Sequence, residues 1–220
     1  MQRKNPVLII AGPSAVGKTV VAKAIVECDP RFTFLRSATT RAKRGDVHDD
    51  EYLYYTEAEF LAAVERGEFV EHMNYGGCMY GTTKAEMNAA LERGQIPLLV
   101  LDLCGVESLY RAEDYSACSV YVYADLPTIE ARLYARSVTS EDDEEGRATY
   151  EKRRKRNLKD FRSLPTYAPF VHEFVLNTDT VEDCRDRVMA IFESYCNGAV
   201  ADGAKNAALA ETLAALACSH

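Results

Sequence analysis

Three features of this 220-residue chain predict an α/β fold, a doubly wound sheet of five parallel strands. Short apolar runs alternate with segments that carry apolar residues at helical spacing. The first run leads into Gly12-Pro13-Ser14-Ala15-Val16-Gly17-Lys18-Thr19, which fits the pattern G-x-x-x-x-G-K-[ST]. Pro97–Leu103 is almost wholly apolar, as befits a central parallel strand covered on both faces.

Val7–Ala11 reads as the first strand, and Val20–Val26 continues as a helix beyond the glycine-rich turn. Strand, turn and helix are the context of a phosphate-binding loop, in which backbone N–H groups and the helix dipole face the anion. Lys18 would reach the β- and γ-phosphates and the Thr19 hydroxyl would ligate Mg²⁺, so the chain is expected to bind a nucleoside triphosphate. Phe32–Leu35 is a second strand, followed by Ser37–Arg44 and a polar loop. Tyr52–Tyr55 is a strand by its aromatic content, and Thr56-Glu57-Ala58-Glu59 is a capping-box start for a helix ended by Gly67. Two short strands around Glu68–His72 and Cys78–Tyr80 complete a small mixed insertion over residues 37–82. A helix over Lys84–Arg93 stops at Gly94, and the apolar run that follows carries an acid, Asp102, at its end. Ser119–Tyr123 and Glu173–Leu176 are the remaining strands of the sheet.

Between those two lie a helix over Thr128–Arg136, an acidic run at Glu141–Glu145 and a basic run at Lys152–Arg156. This stretch reads as a solvated helical hairpin or as a lid whose arginines meet the triphosphate; its eight Lys or Arg between Arg147 and Arg162 also suggest an RNA contact, the weakest of the three in so acidic a chain. Thr180–Asp183 could cap a last helix, and an Ala-rich tail after Gly198 could dock on the body, pair with another subunit or fray. The net charge of −8 argues against a general nucleic-acid binder. Seven scattered cysteines without metal spacing, no signal-peptide core and no run long enough to cross a bilayer give the expectation of a cytoplasmic protein without membrane contact.

Within the insertion, Arg41 and Arg44 suit bidentate binding of a phosphate dianion, and Tyr52 and Tyr80 could add hydroxyl donors. Glu71 could accept the adjacent N1–H and N2–H₂ of a guanine, while Thr82 could donate to its O6. Each residue taken singly also suits an ordinary surface or packing role. Together, Ser37-x-Thr39-Thr40-Arg41-x-x-Arg44, Tyr52, Glu71-His72, Tyr80-Gly81-Thr82 and Asp102-Leu103-x-Gly105-Val106 resemble the guanylate kinase family. The resemblance runs from about Val7 to Tyr195 and includes Arg132-Leu133-x-x-Arg136 and Leu176-Asn177-x-Asp179.

That resemblance implies a P-loop kinase with a core (1–36, 83–127 and 163–197), a GMP-binding subdomain (37–82), a lid (128–162) and a tail (198–220) without family counterpart. It implies transfer of phosphate from ATP, with Mg²⁺, to GMP or dGMP. Ser37, Arg41, Arg44, Tyr52 and Tyr80 would hold the acceptor phosphate, and Glu71 and Thr82 would read guanine. Arg136, with Arg153 or Arg147, would meet the transferring group. Asn177 falls where the family has an adenine contact, and Asp102 would either orient Mg²⁺ through water or touch the acceptor. The chain departs from the family at Ala15, a glycine position that an alanine fits if φ is negative, at Cys78, and at Val100, which replaces the first acid of D-x-D. The alternatives are a guanylate-kinase-like binding module without turnover and a kinase for another nucleotide or phosphorylated sugar.

Overall fold

The computed structural model describes residues 5–43, 49, 52–75, 77–112 and 114–219. Arg44 and most of the polar loop after it therefore lie outside the described residues. The main sheet has the order β2-β7-β1-β8-β9, formed by Phe32–Phe34, Ile96–Val100, Pro6–Ala11, Ser116–Tyr123 and Glu173–Leu176. All of its pairings are parallel, with Leu8 opposite both Leu98 and Cys118. Val7 to Ala11 are buried throughout, because β1 lies in the middle of the sheet with helices on both faces. The strand order reverses around β1, so the crevice beyond its carboxyl end is where an open α/β sheet takes a ligand. Helix α1 (Lys18–Cys28) starts there.

A second sheet, β4-β3-β6-β5, is built from Tyr52–Tyr54, Ser37–Thr39, Cys78–Thr83 and Phe69–Tyr75. β3 and β4 run parallel, and the other pairs are antiparallel. The β5–β6 hairpin is longer than its sequence suggests, since the ladder runs on to Thr83. Helix α2 (Glu57–Glu65), with the expected capping box between Thr56 and Glu59, covers this sheet. Phe60 stacks on Phe69 at 4.5 Å between ring centres, giving the insertion a small core of its own beside Ala38 and Ala63.

Helix α3 (Lys84–Glu92) returns the chain to the main sheet. β7 stops at Val100, short of the expected Leu103, because Asp102 leaves the strand to cap helix α4 (Leu103–Arg111), its Oδ1 accepting from Gly105 N at 2.9 Å. Helix α5 (Leu126–Ser137) begins earlier than expected, since Asp125 caps it and Pro127 suits its first turn. The acidic run caps rather than dangles: Asp143 opens the 24-residue helix α6 (Glu144–Tyr167). α6 passes without a break through residue 162, so the lid end expected there coincides with no change of structure. Helix α7 (Val181–Cys196) has its capping box at Thr180 and Asp183.

The tail docks. Helix α8 (Gly203–Cys218) packs against α6, burying Ala210, Leu213 and Ala217, while Leu216 stays exposed. Arg162 of α6 donates to the Ala217 carbonyl at 2.8 Å, and Lys205 pairs with Glu173 at 2.6 Å. Asn206, 1 % exposed, donates to the carbonyls of Val171 at 2.9 Å and His172 at 3.1 Å. Asn206→Ala should therefore cost about 1–3 kcal/mol of stability, as two buried acceptors lose their donor. Urea titration checks this, and an unmoved midpoint would mean that the tail does not hold these carbonyls.

Candidate active site

The candidate site residues lie in the loop before α1, in the second sheet and at the start of α4 that packs on β5. Gly12 has φ +145°, and a methyl there would sit 2.1 Å from the Val122 carbonyl oxygen, so only glycine lets the loop leave β1 against β8. Ala15 is different. Its φ is +67°, in the left-handed region, so the negative φ that would suit an alanine is not what the loop adopts. A Cβ there costs about 1–2 kcal/mol. Both neighbours are held from outside the loop by buried asparagines. Asn157 of α6 accepts from Ser14 N at 2.8 Å and donates to Ser14 O at 3.1 Å. Asn177, just after β9, donates to Val16 O at 2.7 Å. The family-implied adenine residue thus has its amide nitrogen on the loop backbone.

Lys18, expected to reach phosphates, turns back on the loop, its Nζ donating to the carbonyls of Gly12 and Pro13 at 2.8 Å each. An ammonium with no phosphate to meet takes the nearest acceptors. Burial lowers its pKa to about 8; Asp160 and Asp102 oppose that shift, and the Arg136 guanidinium adds to it. Arg136 therefore belongs to the electrostatic surroundings of the loop lysine. Asp160 is pushed up to about 6 by burial and then by the like charge of Asp102. Asp102 is itself raised, chiefly by burial. Thr19 occupies the first turn of α1, beside Lys18. Among the described residues no group of three or more His, Cys, Asp or Glu forms a metal cage.

Of the other lid arginines, Arg147 donates to the Glu141 carbonyl of its own hairpin and Arg153 is half-buried. Arg154 is tied to Glu130 of α5 at 2.6 Å, joining the two lid helices. The stretch is a helical hairpin with wet charges, and one of its arginines, Arg136, acts electrostatically on the loop lysine.

The insertion brings most of the expected acceptor residues together. The Arg41 guanidinium lies 4.9 Å from the centre of the Tyr52 ring, and Tyr52 meets Tyr80 edge-on at 6.3 Å. Arg41 is also close to Asp49 (3.8 Å) and reaches the Tyr54 hydroxyl (3.4 Å), which donates to Asp49 at 2.6 Å. Tyr54 and Asp49 escape a sequence reading, as an aromatic strand and a polar loop carry no spacing signal. Arg41 Nη1 is buried and has no hydrogen-bond partner among the described residues. A buried guanidinium N–H left open is expensive unless an anion fills it. Ser37 is half-buried on β3, opposite Tyr52. Glu71 is 5 % exposed. Thr82, expected to donate to a base oxygen, gives its proton to Glu71 Oε1 at 2.7 Å. Glu71 Oε2 faces Gly105, where an added methyl would lie 3.4 Å away. Burial raises Glu71 to about 7 against the Thr82 hydrogen bond, with Asp102 adding to the rise.

The chain thus has a phosphate loop, a buried arginine with an open N–H, and a buried carboxylate that lies beside Asp102 and Gly105, next to the loop lysine's surroundings. A family model described as Guanylate kinase matches residues 3–195, leaving out α8. A guanylate kinase of Lactobacillus acidophilus is 30% identical over 196 residues, 88% of this chain and 91% of the relative. One of Cereibacter sphaeroides is 36% identical over 145 residues, 64% of this chain and 69% of the relative. Among solved structures, guanylate kinase from Anaplasma phagocytophilum shares the fold with a TM-score of 0.65 at 20% identity, over 89% of this chain and 87% of the other. With its loop, acceptor motifs and nearly full-length family match all in agreement, the chain belongs to the guanylate kinase family.

Proposed function

We propose that the chain transfers the γ-phosphoryl group of ATP to the phosphate of GMP or dGMP, giving ADP and GDP or dGDP. An acceptor phosphate oxygen attacks Pγ as the bond from Pγ to the ADP oxygen breaks. The reaction is carried by alignment and charge neutralisation, without a covalent enzyme intermediate. In this reading 37–82 is the acceptor subdomain, 128–162 the lid, and the remaining α/β body the donor core. Lys18 leaves the Gly12 and Pro13 carbonyls for the phosphates, and Arg136, with Arg153 or Arg147, approaches as the lid closes. Asn177 carries the family's adenine contact in addition to its bond to Val16. A hydroxyl at Thr19 with the carboxylates Asp102 and Asp160 around Lys18 fits Mg²⁺, which keeps several waters and takes other ligands from phosphate. The ion would neutralise charge on the β- and γ-phosphate oxygens.

The observation that carries the acceptor assignment is the Glu71 carboxylate, buried, oriented by Thr82, and without a cation among the described residues. A base offering two adjacent N–H groups is the partner it lacks, and guanine is that base. The test is ADP release by the whole chain with ATP, Mg²⁺ and each of GMP, dGMP, IMP, AMP, CMP and UMP; turnover that favours a nucleotide other than GMP or dGMP overturns the assignment.

Arg41 gives a separate check. Arg41→Ala should weaken GMP binding by about 10- to 100-fold, the worth of a charge-assisted pair, while ATP affinity stays within about threefold. Calorimetry on each nucleotide reads both. A collapse of ATP affinity instead would move Arg41 to the donor side.

A further inference from the structure

We infer that Asn157 is a positioning residue of the donor site: it holds the phosphate loop in a shape that Ala15 alone resists. The loop needs a left-handed turn at residue 15, and here that position carries a Cβ. Left alone, an alanine would relax toward negative φ and swing the peptides on either side of it. Ser14 precedes the turn, and Asn157 takes both its N–H and its C=O with one planar amide. Two bonds to one residue fix the orientation of that backbone segment as well as its distance. Asn157 is 3 % exposed and sits on the face of α6 that also buries Leu158, Phe161 and Leu164, so its amide is held rigidly. On the other side of the turn Asn177 holds Val16, which leaves Ala15 bracketed by two clamps. α6 is in turn anchored at its far end, where Arg162 is tied to α8. The loop N–H groups can cradle phosphate only while this turn is kept, so the clamp sets ATP affinity and reaches no part of the acceptor site.

The inference rests on the donor site being this loop, and a double-mutant cycle tests it. Asn157→Ala should weaken ATP binding about tenfold, with GMP binding within about twofold. In an Ala15→Gly background, where the left-handed turn carries no Cβ penalty, the same change should weaken ATP binding only about twofold. ATP and GMP dissociation constants are measured separately by calorimetry, and thermal unfolding is followed for all four proteins. A merely structural asparagine would lower the melting temperature equally in both backgrounds and shift the two nucleotides alike. If Asn157→Ala does not stay folded, Asn157→Ser, too short to reach both Ser14 groups, takes its place in the cycle. An unchanged ATP constant, or equal effects in the wild-type and Ala15→Gly backgrounds, overturns the inference. Wild-type protein that binds ATP but does not phosphorylate GMP would instead strike the proposed reaction and leave the clamp standing.

Discussion

Lys18→Ala is expected to leave a folded protein whose phosphoryl transfer from ATP to GMP has fallen by about 10²-fold or more. The fall follows from the loss of the one fixed ammonium in the loop, which meets charge on the equatorial oxygens of the transferring group. The fold should survive because Lys18 is the first residue of α1 and its bonds are to loop carbonyls, Gly12 and Pro13, rather than to the core. The pH dependence has a definite sign. Burial holds Lys18 near 8, so above that pH the amine is neutral before nucleotide arrives. Phosphate binds the ammonium, hence ATP affinity should fall as pH rises above about 8 in the wild type and not in Lys18→Ala. Turnover and ATP binding measured from about pH 7 to about pH 9.5 test both statements, on either side of that lysine's titration. Near-normal turnover in the variant would remove the loop lysine from the mechanism.

The parts of this site that sequence made legible are those fixed by short-range spacing. The glycine-rich turn must follow a strand and open a helix, so Gly12 to Thr19 declare themselves, and capping boxes at Thr56 and Thr180 mark helix starts for the same local reason. Arg41, Tyr52, Glu71 and Tyr80 are legible only as a series, because any one of them suits an ordinary strand. What stayed hidden depends on contacts far along the chain. Asn157 looks like one more polar residue in a charged helix, yet it shares the apolar stripe of Leu158, Phe161 and Leu164. A neutral polar residue on a buried stripe needs a partner; only the fold reveals that the partner is Ser14, 143 positions away. The φ of Ala15 is likewise set by those clamps and not by local preference. The tail helix shows the opposite case: Leu209, Leu213 and Leu216 stand at helical spacing and announce the helix, whereas its docking on the body rests on Asn206 and Arg162, which meet carbonyls in the body and tail.

Base choice should be strict, and it should switch with pH through Glu71. A carboxylate facing guanine accepts from N1–H and N2–H₂ together. Adenine has neither group and would leave the buried charge uncompensated, so AMP should trail GMP by about 10⁴-fold in kcat/KM, the scale of sites built on obligatory hydrogen bonds. IMP keeps N1–H but lacks the 2-amino group and should fall between them. Burial, opposed by Thr82 and helped by Asp102, raises Glu71 to about 7. Guanine needs the ionised form, so GMP affinity should be level above about pH 7 and weaken by up to about tenfold per unit as pH falls below it. The second ionisation of the GMP phosphate, near about 6, adds to that slope in every variant, so the comparison is with Glu71→Gln, which should lose the Glu71 share and narrow the gap between GMP and IMP. Stability carries the opposite sign. Because the folded pKa lies above the unfolded value, this group favours the folded state at acid pH and loses that contribution as pH rises through about 7. Glu71→Gln should therefore raise the melting temperature more at about pH 8 than at about pH 5, where the wild-type carboxyl is already neutral in the fold. If GMP binding follows the same pH curve in both proteins, or the Gln variant keeps the full GMP-to-IMP ratio, Glu71 does not read the base, and the guanine assignment would have to rest on some other group.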